Sequence, residues 1–326
     1  LIRLAVRDER WPIAGAFTIS RGSKTEAHVV VAEIMDGDSI GRGEAVPYGR
    51  YGESIDSVLA QIETARTAIE AGADRTALQS LLPPGAARNA LDCALWDLEA
   101  KRSGRRVSAM AGFARLDPVK TAYTLSFGPA EAMGEAARSA SGRPLLKLKI
   151  GGPDDLDRVE AVRRAAPKSR LIVDANEGLT LDTLTRLAPD FAKLDVKAIE
   201  QPLPAGADAD LEGYDSPVLL CADESIHSRA ELALCARRYG GINIKLDKTG
   251  GLTEALALRA AAMAMGLQVM AGCMVATSLS MAPAMLIAQG AAFVDLDGPL
   301  LLARDRQPGL DFVGSAIMPF GPDVWG

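Results

Sequence analysis

Leu145-Leu146-Lys147-Leu148-Lys149-Ile150 sets two lysines into an otherwise apolar segment. Side chains alternate along a strand, so Lys147 and Lys149 share one face and Leu146, Leu148 and Ile150 the other. A segment this apolar reads as a parallel strand covered on both faces. Two ammoniums inside such a sheet are costly unless something uses them.

Outward from that stretch, short apolar runs recur at a nearly constant interval. They cover 119–124 before it and 171–174, 198–200, 218–222, 242–246, 267–272 and 292–296 after it. The intervening stretches, such as 154–166, 228–238 and 253–265, carry apolar residues at helical spacing. Eight strands alternating with seven helical segments predict an α/β fold, a (β/α)7β TIM-like barrel over 118–303. An open doubly wound sheet would need a nucleotide loop. Gly41-Arg42-Gly43-Glu44 lacks the third glycine and the following helix, and Lys248-Thr249-Gly250-Gly251 lacks the earlier glycine of a phosphate loop.

Residues 1–117 read differently. Strands are expected at 1–8 and 29–35, with Asp36-Gly37-Asp38 as a turn, and helices at 54–71 and 87–102, the latter closed by Gly104. Strands followed by helices predict an α+β capping domain. The tail 304–326, with Pro308, Gly309, Pro319 and Pro322 and no further βα unit, is expected to return to it.

The 326 residues are 48% apolar and 24% charged, enough for a sizeable core. A net charge of −6 and a pI near 5.2 offer no basic footprint for nucleic acid, so the expected partner is a small molecule. Cys93, Cys221, Cys235 and Cys273 form no C-x-x-C pair and read as free thiols of a reducing cytoplasm. No stretch has the pattern of a secretion signal, and the apolar run at 255–271 is too short to span a bilayer. A cytoplasmic protein is expected, with a homo-oligomer left open. Met263, Met265, Met270 and Met274 read as core packing.

The chemistry lies at the strand ends. Asp174 closes Ile172-Val173-Asp174, Glu200 closes Ala198-Ile199-Glu200, Asp223 follows Ala222, and Lys245 stands in Asn243-Ile244-Lys245. From Lys149 through 174, 200 and 223 to 245 the separations are 25, 26, 23 and 22 residues, each one βα unit. The repeat places these groups on adjacent strands at one level, at the carboxyl end where barrel active sites lie. Three carboxylates without histidine or cysteine favour a hard cation, Mg²⁺ with Mn²⁺ as the alternative. The only histidines, His28 and His227, read as structural or surface groups. Lysine is then the natural general base, provided its pKa falls about 3 units from its free value. Lys149 on the second strand and Lys245 on the sixth face each other across the barrel. That suits removal of a proton on one side of a carbon and its return on the other, with the metal holding a carboxylate and stabilising the enediolate.

The order Lys147-x-Lys149, Asp174-Ala175-Asn176, Glu200-Gln201-Pro202, Asp223-Glu224-Ser225 and Lys245-Leu246-Asp247-Lys248-Thr249-Gly250-Gly251 resembles the muconate-lactonising subgroup of the enolase superfamily. Ala94-Leu95-Trp96-Asp97-Leu98 extends the resemblance into the first domain. It implies Asp174, Glu200 and Asp223 as metal ligands and Lys149 and Lys245 as the two bases. Lys147 would contact the substrate carboxylate and help lower the pKa of Lys149.

Within that subgroup, Asp295-Leu296-Asp297 sets two acids on one face of strand eight, suited to a substrate ammonium. The pair resembles that of the L-Ala-D/L-Glu epimerases, where it holds the free amino terminus of a dipeptide. Arg21, in Ile19-Ser20-Arg21-Gly22-Ser23, matches the arginine that receives the glutamate carboxylate there. Thr124 and Cys273 match pocket-lining positions, and residues 47–53 a second lid loop. Ala276 departs from relatives with an acid at its place. The resemblance implies Mg-dependent epimerisation of the Glu residue of L-Ala-L/D-Glu, a murein-type dipeptide, and so a place in peptidoglycan recycling. The alternatives are an N-acylamino acid racemase or o-succinylbenzoate synthase, or a catalytically silent ligand-binding barrel.

Overall fold

The computed structural model describes residues 1–19, 22–152 and 154–326. Three strands, β1 (Arg3–Ile19), β2 (Gly22–Asp36) and β3 (Ser39–Ala45), form an antiparallel sheet in that order. Two helices, Ile55–Glu70 and Ala86–Ser103, lie against it. Ser54 and Ser57 cap the first reciprocally, and Gly104 in the left-handed region (φ 65°) ends the second. The hairpin of β1 and β2 is far longer than the expected strands at 1–8 and 29–35. The Gly41-x-Gly43 pair turns out to serve packing: a Cβ at either position would lie 2.1 Å from a backbone oxygen of helix Ala86–Ser103.

The second sheet is the barrel. Its strands are β5 (Tyr123–Leu125), β6 (Leu145–Lys149), β7 (Arg170–Asp174), β8 (Val196–Glu200), β9 (Leu219–Ala222), β10 (Gly241–Ile244), β11 (Gln268–Gly272) and β12 (Phe293–Asp295), in sequential order with every pair parallel. A bond from Ala122 N to Val294 O (2.7 Å) brings the two ends of the sheet together. The expected single strand at 119–124 is divided. β4 (Val119–Lys120) pairs with β14 (Ala316–Ile317), itself paired to β13 (Phe312–Val313), and only the following residues enter the barrel.

Two of the seven expected helical segments are reduced. Between β8 and β9 there is one 3-10 turn, Ala209–Leu211, because Pro202, Pro204 and Pro217 lack the helical N–H donor and Gly206 and Gly213 adopt positive φ. The stretch 228–238 winds mostly through i→i+3 bonds, leaving only Leu232–Cys235 as α-helix.

Alternation along the strands explains the interior. Leu145, Ile172, Ala198, Cys221, Met270 and Phe293 form an apolar floor inside the barrel, while Leu146, Leu148, Leu171, Val173 and Ile199 face the outer helices. Two or four residues beyond the floor, the inward positions become Lys147, Lys149, Asp174, Glu200, Asp223 and Asp295. The methionines do not act together: Met270 joins the floor, but Met263 and Met265 are 49% and 51% exposed at the end of helix Leu252–Ala264.

The tail lies against the first sheet. Trp325 is fully buried and donates to the carbonyls of Arg42 and Cys93 (3.0 and 3.2 Å). Arg306 reaches Glu44 and Glu9, both at 2.6 Å. No helix among the described residues is long and apolar enough to cross a membrane.

Candidate active site

Backbone register puts Lys149, Asp174 and Glu200 in one row across β6, β7 and β8, whereas the partner of Glu200 on β9 is Cys221. Asp223 thus stands two residues further toward the mouth. Lys147 Nζ lies 2.7 Å from Glu200 Oε2, 2.8 Å from Asp295 Oδ2 and 3.2 Å from Asp174 Oδ2. Lys149 Nζ lies 2.6 Å from Asp174 Oδ2, and Lys245 Nζ 2.6 Å from Asp223 Oδ2. All of these groups are buried. β6 and β10 are four strands apart in a ring of eight, so Lys149 and Lys245 approach the mouth from opposite walls.

The carboxylates outnumber the ammoniums, and the charge states follow. Burial alone would lower the Lys245 pKa, but Asp223 and Glu200 hold it well above the ordinary lysine value. Lys147 is raised likewise, with Asp295, Glu200 and Asp174 outweighing burial. The expectation of a depressed base is therefore reversed for Lys245, because acids face its ammonium. Burial and the nearby Asp174 push Glu200 up to about 7. Asp223 opposes its burial through Lys245 and Lys248 and falls well below the carboxylate range.

Asp174, Glu200 and Asp223 are oxygen donors of the kind a hard cation takes. Glu200 Oε1 accepts from Asn243 Nδ2 (2.8 Å), leaving Oε2 with no hydrogen bond and only the Lys147 ammonium nearby. Among the described residues no three acids stand at ligand spacing, since that ammonium lies between Glu200 and Asp174. The donor chemistry fits a metal, and the lysines set the present spacing.

Thr124, Lys147, Lys149, Asp223, Lys245, Cys273, Asp295 and Asp297 line one cavity of about 700 Å³, roofed by Phe17, Lys24, Tyr48, Arg50 and Tyr51. Asp297 Oδ2 accepts from Thr124 N (2.7 Å), and burial with the adjacent Asp295 pushes its carboxyl up to about 7. Asp295 Oδ1 is buried without a hydrogen-bond partner. The expected lid loop at 47–53 contributes to the roof, where Arg50 forms a bidentate pair with Glu177 (2.7 and 2.8 Å). His227 meets the Tyr51 ring edge-on at 4.5 Å, and His28 pairs with Asp8 at 2.7 Å. Arg21 lies outside the described residues.

Sequence reasoning passed over two groups. Lys248 is buried and donates to Asp223 Oδ1 (2.5 Å) and Asn243 O (2.9 Å); its sequence signal is the Lys245-x-x-Lys248 spacing. Asn243, the inward residue before Lys245, orients Glu200. Period-two alternation alone would have found it.

The family model described as mandelate racemase / muconate lactonizing enzyme, N-terminal domain, matches residues 1–112, and that of the enolase C-terminal domain-like family matches 131–302. The chain is 46% identical to the L-Ala-D/L-Glu epimerase of Escherichia coli over 94% of its own length and 96% of the relative's. It is 43% identical to an N-acetyl-D-glutamate racemase from Pseudoalteromonas, covering 91% of this chain and 95% of that one. Its structure matches an enolase family member from Agrobacterium tumefaciens with homology to dipeptide epimerases, holding sodium and L-Ala-L-Glu, with a TM-score of 0.98 at 53% identity over all of both chains. A dipeptide epimerase from Methylococcus capsulatus complexed with Mg and L-Arg-D-Lys gives a TM-score of 0.91 at 30% identity, over 99% of each chain.

Proposed function

This chain belongs to the mandelate racemase / muconate lactonizing enzyme family of the enolase superfamily, and from that premise we propose that it epimerises the glutamate of L-Ala-Glu. It is an isomerase of the epimerase and racemase kind. The observation that carries the substrate is the pair Asp295 and Asp297, buried on one wall of the cavity beside Lys147. Asp295 Oδ1 has no hydrogen-bond partner, and a buried acceptor of that kind calls for a donor from the ligand, here the dipeptide ammonium.

The chemistry follows from the two walls. One lysine takes the α-proton, breaking C–H and forming N–H at Nζ while the electron pair passes into the enediolate; the facing lysine returns a proton to the opposite side. Lys149 and Lys245 carry these roles in turn, according to which diastereomer is bound. Lys147 meets the substrate carboxylate. Asp174, Glu200 and Asp223 would hold Mg²⁺. When bound, that ion supplies the positive charge that stabilises the carboxylate as it becomes an enediolate and relieves the pull of the acids on the lysines. Phe17, Tyr48 and Tyr51 lie over the mouth of the cavity.

A second reading, racemisation of an N-acyl glutamate, draws on the Pseudoalteromonas relative and on the upward shift of Asp297, which brings that carboxyl toward the neutral form. The two readings separate in one experiment. ¹H NMR of L-Ala-L-Glu with protein and Mg²⁺ in D₂O is expected to show loss of the glutamate α-proton signal and growth of the L,D diastereomer. If N-acetylglutamate exchanges and no dipeptide does, the second reading replaces the first.

A further inference from the structure

The two proposed bases are held in place by different parts of the molecule. Lys149 is the last residue of β6, paired with Asp174 of β7, while the ladder to β5 ends one residue earlier at Leu148. Lys245 lies one residue beyond β10 and begins the one-turn helix Leu246–Thr249. That turn is gripped from outside the barrel. Asp247 Oδ1 accepts from Val46 N and from Asn89 Nδ2, both at 2.9 Å, and Asp247 is buried with no cation partner among the described residues. One helical turn along, Arg88 donates to Thr249 O and Gly250 O (2.7 and 3.1 Å). Asp92 accepts from Thr253 N at 2.9 Å.

Arg88, Asn89 and Asp92 occupy one side of helix Ala86–Ser103, packed against the segment that follows the second base. The contact is too close for side chains: a Cβ on Gly251, which has φ 109°, would lie 2.4 Å from the Asp92 side chain. Val46 in turn leads into the roof turn Gly49–Tyr51. The same carboxylate therefore ties the helix, the roof segment and the backbone of the base.

We propose that the Asn89–Asp247–Val46 junction is a positioning device for Lys245 alone, so that the capping segment sets the approach of one base and the barrel the other. Asp247 and Asn89 touch no reacting atom. They act through the Lys245 backbone, and their loss disables one face of the proton transfer. The inference rests on the two-base reading above.

The ratio of kcat/KM for the two diastereomers is fixed by their equilibrium and cannot report which base has failed; isotope exchange can. In D₂O, a variant with Lys245 misplaced still lets Lys149 remove and return the α-proton of one diastereomer, so exchange outlives inversion there. For Asn89→Leu we expect inversion to fall at least about 10-fold in both directions, while exchange falls less than about 2-fold for one diastereomer and in step with inversion for the other. Asp247→Ala should behave in the same way. Asp247→Asn, which retains the accepting oxygen, should recover inversion to within about 3-fold of wild type. If Asn89→Leu does not fold, Asp247→Ser and Asp247→Asn carry the same comparison. Parallel loss of exchange and inversion from both diastereomers, or unchanged inversion in both Asn89→Leu and Asp247→Ala, overturns the proposal. Absence of exchange from any dipeptide with the wild-type protein would instead overturn the function on which it rests.

Discussion

On the barrel side, Lys147, Lys149 and Asp295 line the cavity with Asp174 and Glu200 buried behind them, all on strands fixed by ladders of backbone hydrogen bonds. On the capping wall, Phe17 and Lys24 hang from the end of a hairpin and Tyr48 and Arg50 from a single 3-10 turn, more open to solvent. The first wall holds charges against their own desolvation, which a rigid setting of opposed charges permits. The second presents aromatic rings and the Lys24 ammonium to whatever occupies the cavity. The proposed proton chemistry belongs to the first wall, and the proposed substrate choice is shared with the second.

The comparison is tested hardest at the lysines. Lys149→Ala and Lys245→Ala are each expected to lower epimerisation by about 1,000-fold or more, within the range that general acid–base groups contribute. Steady-state polarimetry on the L,L and L,D dipeptides checks it. Wild-type rates from either variant would move the bases away from this wall.

The same contrast governs what could be read from the sequence. The βα repeat and the inward charges were legible because period-two alternation and strand spacing are local regularities; Lys149, Asp174 and Glu200 fall in one row as the intervals required. Asn243 and Lys248 were equally regular but went unread, since each acts through a neighbour: Asn243 on Glu200, Lys248 on Asp223. The direction of the lysine pKa values was not legible at all, because it depends on how many acids converge from four strands. Nor was the hairpin of β1 and β2, whose length is set by pairing across the chain rather than by any local pattern. Asp247 had no visible role for the same reason, its partners Val46 and Asn89 being 201 and 158 residues away.

Asp297 lies between the two walls in its proposed effect, a barrel residue expected to meet the substrate ammonium. Asp297→Asn is expected to raise KM for L-Ala-L-Glu about 30-fold, the order of a buried charge-assisted contact, and to change an N-acyl glutamate far less. Its pH dependence has a definite sign. The carboxyl sits near 7 and grips an ammonium only when ionised, so wild-type KM for the dipeptide should fall as pH rises through about 7. The asparagine variant should lose that slope. Equal KM changes for both substrates would detach Asp297 from the ammonium.

Lys24 carries the smallest effect and tests the capping wall directly. It pairs with Phe17 across the hairpin, so the two side chains share a face, and the Phe17 ring lies 5.8 Å from Lys149 Nζ. Lys24 Nζ itself sits 5.6 Å from the Tyr48 ring, and among the described residues lining the cavity it is the one cation without a carboxylate partner. A glutamate side chain bound with its α-carbon between the bases would offer that partner. The lysine is exposed, so the pair is screened and worth at most about 1 kcal/mol. Lys24→Met should therefore lower kcat/KM for L-Ala-L-Glu only about 3-fold and leave L-Ala-L-Leu unchanged, measured side by side in low salt. If the two substrates lose equally, Lys24 shapes the roof without reading the side chain, and discrimination returns to the barrel wall.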